Sequence, residues 1–116
     1  VKISYKNKKI EKECTNISHA KKKYNEKVAE KLLSTINAIK NAETLRDIIC
    51  VPTFRFHSLI GDKNGKYAID LGKKSGYRLI VVPLNENNNQ FDETVNFYNS
   101  IEIVCVSVEE VSNHYE

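Results

Sequence analysis

Residues 54–82 read FRFHSLIGDKNGKYAIDLGKKSGYRLIVV, and this stretch decides the fold. Its apolar and polar residues alternate through Phe54–Ile60, Tyr67–Leu71 and Tyr77–Val82, the period of two that marks half-buried strands. Between these runs stand Gly61-Asp-Lys-Asn-Gly65 and Gly72-Lys-Lys-Ser-Gly76. Glycines there supply the positive φ that tight turns need, so two consecutive antiparallel hairpins are expected. A further strand is predicted at Ile101–Val108, and a brief alternation over Val1–Tyr5 predicts an N-terminal one.

Upstream of the hairpins the period lengthens. From Ser18, read as an N-cap, Ala20, Tyr24, Val28, Leu32, Ile36 and Ile39 recur at three- and four-residue spacing, which predicts one amphipathic helix of about six turns. Asn41 is the expected cap of a short second helix through Ile49, stopped by Pro52. Lys6–Glu13 reads as a charged segment leading into the first helix, and Asn85–Ser100, rich in asparagine, as a long loop or short helical excursion. The expected fold is therefore one α+β domain over residues 1–116. An N-terminal strand and two helices pack on one face of an antiparallel sheet of about four to five strands.

Composition narrows the class. The chain of 116 residues has no apolar run approaching the ~18–20 residues of a membrane helix, and its lysine-rich start lacks the apolar core of a signal peptide. No membrane association and a cytosolic location are expected. Cys14, Cys50 and Cys105 are odd in number and far apart, so they are read as buried thiols rather than a disulfide framework or a zinc site. The net charge of +3 conceals a basic body, with 11 Lys against 4 Glu in residues 1–40, and an end with 7 acids and no Lys or Arg in residues 79–116. A basic surface suits a polyanion such as RNA. Lysine is also the default cation of a chain with 15 Lys, 13 Asn and 12 Ile, where it fills any solvated face. The three arginines, Arg46, Arg55 and Arg78, are for that reason the more informative cations.

In an extended strand Arg55 and His57 share a face, about 6.6–6.8 Å apart. Arg78 is expected on the same helix-free face, because a guanidinium is rarely buried unpaired. With His114 and Tyr115 near the C-terminus, these residues include the types that metal-independent RNA cleavage needs. A base must take the ribose 2′-hydroxyl proton, cations must stabilise the phosphorane-like transition state, and an acid must protonate the leaving 5′-oxygen. Lys63, Lys66, Lys73 and Lys74, in or beside the turns, are candidate RNA or phosphate contacts, and aromatic rings beside the cations are expected to stack on bases. Each residue also has an ordinary reading: His57 as an inert strand histidine, Arg55 as the partner of Asp70, the lysines as solvated charges, and His114-Tyr115 as a frayed end.

Through FRFHSLIGDKNGKYAIDL (54–71) and GYRLIVV (76–82), and more loosely through the helices and the last strand, the chain resembles the RelE/ParE superfamily of type II toxin-antitoxin toxins. The HigB-like branch is the nearest in pattern. What the resemblance implies is a ribosome-dependent endoribonuclease, an mRNA interferase, needing neither metal nor organic cofactor. A cognate HigA-like antitoxin would neutralise it in a hetero-oligomeric complex, and its other partners would be the ribosome and mRNA. By the same resemblance His57 is an active-site histidine, Lys63 the basic residue after Gly-Asp, Arg78 the sheet arginine, and His114-Tyr115 the terminal pair in reversed order. Ile60 departs from the pattern, standing where the family often has a catalytic lysine, and the excursion 85–100 is a second departure. Two other functions fit the scaffold: a toxin that binds and inhibits gyrase without cutting RNA, as ParE-like members do, and a domain that binds RNA after losing catalysis.

Overall fold

The computed structural model describes residues 1–59, 65–72, 74–91 and 93–113. Asparagine sets the rhythm of its N-terminal half. Asn7, Asn16 and Asn25 each adopt extended backbone, and each side chain accepts a hydrogen bond from the amide three residues on, at Ile10, His19 and Val28. Each satisfies one of the orphan donors of a helix start. Three helices follow: α1 (Lys8–Thr15), α2 (Ile17–Lys23) and α3 (Glu26–Asn41). The single helix expected from Ser18 is thus two, broken where Tyr24 turns extended and Asn25 starts a new cap. Ser18 lies inside α2, the charged Lys6–Glu13 segment is mostly α1, and Asn41 ends α3 rather than starting the short α4 (Arg46–Ile49).

α3 buries Val28, Ala29, Leu32, Thr35, Ile36 and Ile39, one stripe at helical spacing. It packs with Tyr67, Ile69, Leu71, Leu79, Val81, Val106 and Val108 in one apolar core. Their strands are β1 (Lys2–Tyr5), β2 (His57–Ser58), β3 (Tyr67–Asp70), β4 (Tyr77–Leu84) and β5 (Cys105–Asn113), in the spatial order β1-β5-β4-β3-β2. Both expected hairpins form: β2 pairs antiparallel with β3, and β3 with β4. Gly65, Gly72 and Gly76 take positive φ in their turns. The sheet is mixed rather than antiparallel, because β1 lies parallel to β5 at the edge. A parallel neighbour needs a long crossover connection, and the helices and the other strands supply it.

Further departures have local causes. Pro52 opens a 3₁₀ turn over Pro52–Phe54, and Arg55 closes it in the left-handed region at φ 43°, so the extended run begins only at His57 instead of Phe54. Likewise Ile101 and Glu102 belong to a 3₁₀ turn, Asn99–Glu102, and the last strand starts at Cys105 and runs on to Asn113. Asn85 and Asn96 hold the 85–100 excursion in place by accepting backbone N–H bonds from Asn87 and Asn89, and from Tyr98 and Asn99. Cys14 is buried, but Cys50 is exposed and Cys105 half-buried, against the expectation of three buried thiols. The radius of gyration, 13.3 Å, matches the roughly 13 Å of a compact domain of this length. Among the described residues no helix is long and apolar enough to cross a membrane.

Candidate functional site

The pairing register fixes which side chains share the face of the sheet opposite the helices. His57 lies opposite Ala68, Ala68 opposite Ile80, and Ile80 opposite Glu110. One row along, Asp70 lies opposite Arg78, and Arg78 opposite Ser112. Directly opposed residues point to the same side of a sheet. The alternating set, Tyr67, Ile69, Leu79 and Val81, packs against the helices. This second face therefore carries His57, Asp70 and Arg78 over a floor of Ala68, Ile80 and Val82, all three buried.

His57 is fixed by its own neighbourhood. Its Nδ1 lies 2.5 Å from the carbonyl oxygen of Arg55. A carbonyl only accepts, so Nδ1 carries the proton, and in the neutral ring Nε2 is the atom free to take one up. The left-handed turn at Arg55 is what aims that carbonyl back toward the ring two residues on. The same turn overturns the expected Arg55/His57 strand alternation. Arg55 is no longer a strand residue, yet its guanidinium still reaches the His57 face, where Nε lies 2.9 Å from Asp70 Oδ2. That is the ordinary reading of Arg55, and it leaves Arg78 as the more available arginine. Among the described residues Arg78 makes no ion pair, although Asp70 faces it across the β3–β4 ladder. His57 and Arg78 stand two strands and one row apart, about 12 Å by strand geometry.

Among the described residues the expected aromatic platform is not on this face. Phe54 is buried in the core, Phe56 stacks on Tyr67 at 5.1 Å, and Tyr77 meets Tyr24 edge-on at 5.4 Å on the helix side. Phe97 and Tyr98 are the exposed rings, beside Arg46, whose guanidinium lies 4.4 Å from the Phe97 centroid. Of the candidate lysines, Lys74 joins Lys27 and Lys31 around a cleft of about 440 Å³ between the start of α3 and the β3–β4 turn. Lys66 lines a second cleft, of about 630 Å³, on the face that carries His57. Lys63, Lys73, His114 and Tyr115, and Ile60 with them, lie outside the described residues.

Lys66 shares its cleft with Glu109, a residue the sequence pattern did not single out. Glu109 follows Ser107 onto this face by alternation and sits at a β-bulge: Val81 pairs with Val108 but Ile80 with Glu110, so Glu109 is the extra residue. A strand read at strict period two has no place for such a shift. Among the described residues no group of three His, Cys, Asp or Glu side chains is arranged to hold a metal ion.

The helix side holds a contrasting polar cluster. Glu13, 1% exposed, accepts hydrogen bonds from Lys23 Nζ at 2.9 Å and Tyr24 Oη at 2.7 Å. Burial pushes its carboxyl up, but the bonds from Tyr24 and Lys23 and the Lys23 charge outweigh that and hold it below the usual carboxylate range. Burial, reinforced by the Glu13 charge, pushes the Cys14 thiol up to about 12. Neither group touches the sheet face that carries His57, and both are structural.

Comparison of the chain with family models, with curated proteins and with solved structures finds no match. The functional reading accordingly rests on the geometry and on the sequence resemblance.

Proposed function

We propose that this chain is a RelE/ParE-type toxin of the HigB-like branch, an mRNA interferase that cuts messages on the ribosome and is held in check by a cognate antitoxin. The observation that carries the reading is His57: its Nδ1 is committed to the Arg55 carbonyl and its Nε2 has no partner among the described residues, on the helix-free face that also carries Arg78. Nε2 takes the ribose 2′-hydroxyl proton, and the freed oxygen attacks the adjacent phosphorus. Arg78 stabilises the charge on the pentacoordinate phosphorus. The 5′-oxygen then leaves with a proton, and the products are a 2′,3′-cyclic phosphate and a free 5′-hydroxyl. In the family pattern the acid is His114 or Tyr115.

A basic cleft at the start of α3 supports an RNA partner. Lys27, Lys31 and Lys74 gather in one cleft lined by no carboxylate among the described residues, a surface for phosphates whose affinity falls as salt rises. The ribosome is the expected source of those phosphates, which places the activity in the cytosol. Four of the five strands form an antiparallel meander with helices on one face, an arrangement consistent with a RelE-like scaffold.

The test is primer extension on a translated reporter message after brief induction, comparing wild type with His57→Ala and Arg78→Ala and including an untranslatable copy. Cuts confined to the translated message and lost in both variants are the expected result. An intact message despite growth arrest overturns the nuclease and turns the search to gyrase. Salt-sensitive RNA binding without cleavage would point instead to a domain that has lost catalysis.

A further inference from the structure

The cleft of about 630 Å³ beside the candidate site has a distinctive chemistry. Its apolar lining is Val82 and Leu84, alternate residues of β4 that share one face, an apolar surface for a base to lie against. Glu109 stands on one wall, its Oε2 accepting a 2.7 Å hydrogen bond from Ser107 Oγ, so the carboxylate is oriented before any ligand arrives. The opposite charge, Lys66, lines the same cleft, yet the two do not form an ion pair among the described residues. Gln90 also lines the cleft. Its amide lies so near Gly65 that a Cβ there would meet Oε1 at 2.9 Å. One cavity thus offers an apolar lining, a pre-oriented acceptor, an amide and an uncommitted cation, and it begins one side-chain row, about 7 Å, along β4 from Ile80 in the His57 row.

We propose that this cleft binds a guanine nucleotide, with Glu109 accepting from the base and Lys66 holding its phosphate. A carboxylate is acceptor-only, and guanine is the base whose Watson–Crick edge presents two adjacent donors, the ring N1–H and the 2-amino group. Adenine and cytosine present a donor beside an acceptor, and uracil one donor between two acceptors. Each leaves an acceptor facing the carboxylate, which costs affinity. The Gln90 amide has an N–H to donate to guanine O6. The assignment rests on the reading of this face as an RNA-cleaving one, in which the cleft reads a base next to the phosphate that is cut.

The experiment is a titration of the full chain, followed by backbone-amide chemical shifts, with GMP, AMP, CMP, UMP and guanosine. GMP is expected to bind about tenfold more tightly than the other three nucleotides. The shifts should centre on residues 82–90 and 107–110. Glu109→Gln, which still offers an oxygen to Ser107, should erase the preference for guanine while leaving the melting temperature unchanged. Lys66→Met should weaken all four nucleotides and close the gap between GMP and guanosine. Equal affinities, shifts centred elsewhere, or a preference that survives Glu109→Gln overturn the assignment even if the protein cuts message. Guanine preference that depends on Glu109 upholds the cleft even if primer extension finds no cuts, so the two readings fail separately.

Discussion

Leu79 and Arg78 are neighbours in one strand, yet they belong to regions built on opposite principles. On the helix side of the sheet, the buried charge is consumed by the protein itself: Glu13 is surrounded by Lys23 and Tyr24, and Leu79 and Val81 are fully buried. On the other side, His57 Nε2, Arg78, Lys66 and Glu109 are left with donor or acceptor capacity. Stability is therefore concentrated on one face, and the groups with unspent chemistry on the other. Active sites are commonly drawn from such uncommitted groups, because a group already neutralised inside the protein has little left to offer a transition state.

The sharpest way to break this division is to compare substitutions at the two neighbours. Leu79→Ala should cost about 2–5 kcal/mol of unfolding free energy, through lost burial and the cavity left behind. Arg78→Ala should change stability by less than about 0.5 kcal/mol, as for a surface site without partners, while cutting RNA cleavage by about 10²-fold or more. Denaturant melts of both variants beside cleavage assays check the pair. A large stability loss in Arg78→Ala would show that Asp70 and Arg78 are a structural pair and would remove Arg78 from the site.

The next contrast concerns Glu13. Its folded-state pKa lies below the unfolded value of about 4.3, so its contribution is complete above that value and is lost as the pH falls through the folded pKa. Glu13→Leu leaves the buried Tyr24 hydroxyl without its acceptor and should cost about 1–3 kcal/mol near neutral pH. Glu13→Gln keeps an acceptor for Tyr24 and should cost less, but it should flatten the acid limb of the stability profile, since nothing remains there to protonate. Thermal melts from about pH 7 down to about pH 3 distinguish the three proteins. An acid limb unchanged in Glu13→Gln would show that other carboxylates govern it.

The hairpins were legible because alternation and glycine turns are local signals, and Tyr67–Asp70 and Tyr77–Leu84 fall where the pattern places them. What was not legible depended on geometry that no short window records. The 3₁₀ turn after Pro52 takes Arg55 out of the strand, and the bulge at Glu109 brings Glu110, which strict alternation would put on the helix side, opposite Ile80. The parallel edge pair β1–β5 joins segments a hundred residues apart. In the candidate site, His57 and Arg78 could be read because histidine and arginine are rare against a lysine background. Lys66 was among the turn lysines read as phosphate contacts, but Glu109 and Gln90 could not be read, because their cleft exists only once the loop after β4 is folded back beside Lys66.

The smallest effect lies at the helix break, where sequence periodicity and structure disagree most directly. Tyr24 and Val28 continue the apolar stripe, and periodicity alone runs one helix through both. Asparagine at position 25 decides otherwise: its side chain takes the Val28 amide at 2.9 Å, and the break lets Tyr24 swing its hydroxyl to Glu13. Asn25→Ala removes the acceptor and should cost about 1 kcal/mol. Asn25→Asp should cost little or nothing, since a carboxylate caps equally well and its charge suits the positive end of the α3 dipole. Urea denaturation of the two variants checks the ordering. If both lose the same amount, the break is held by the Tyr24–Glu13 bond rather than by the cap, and the buried carboxylate, not the asparagine, organises the helices.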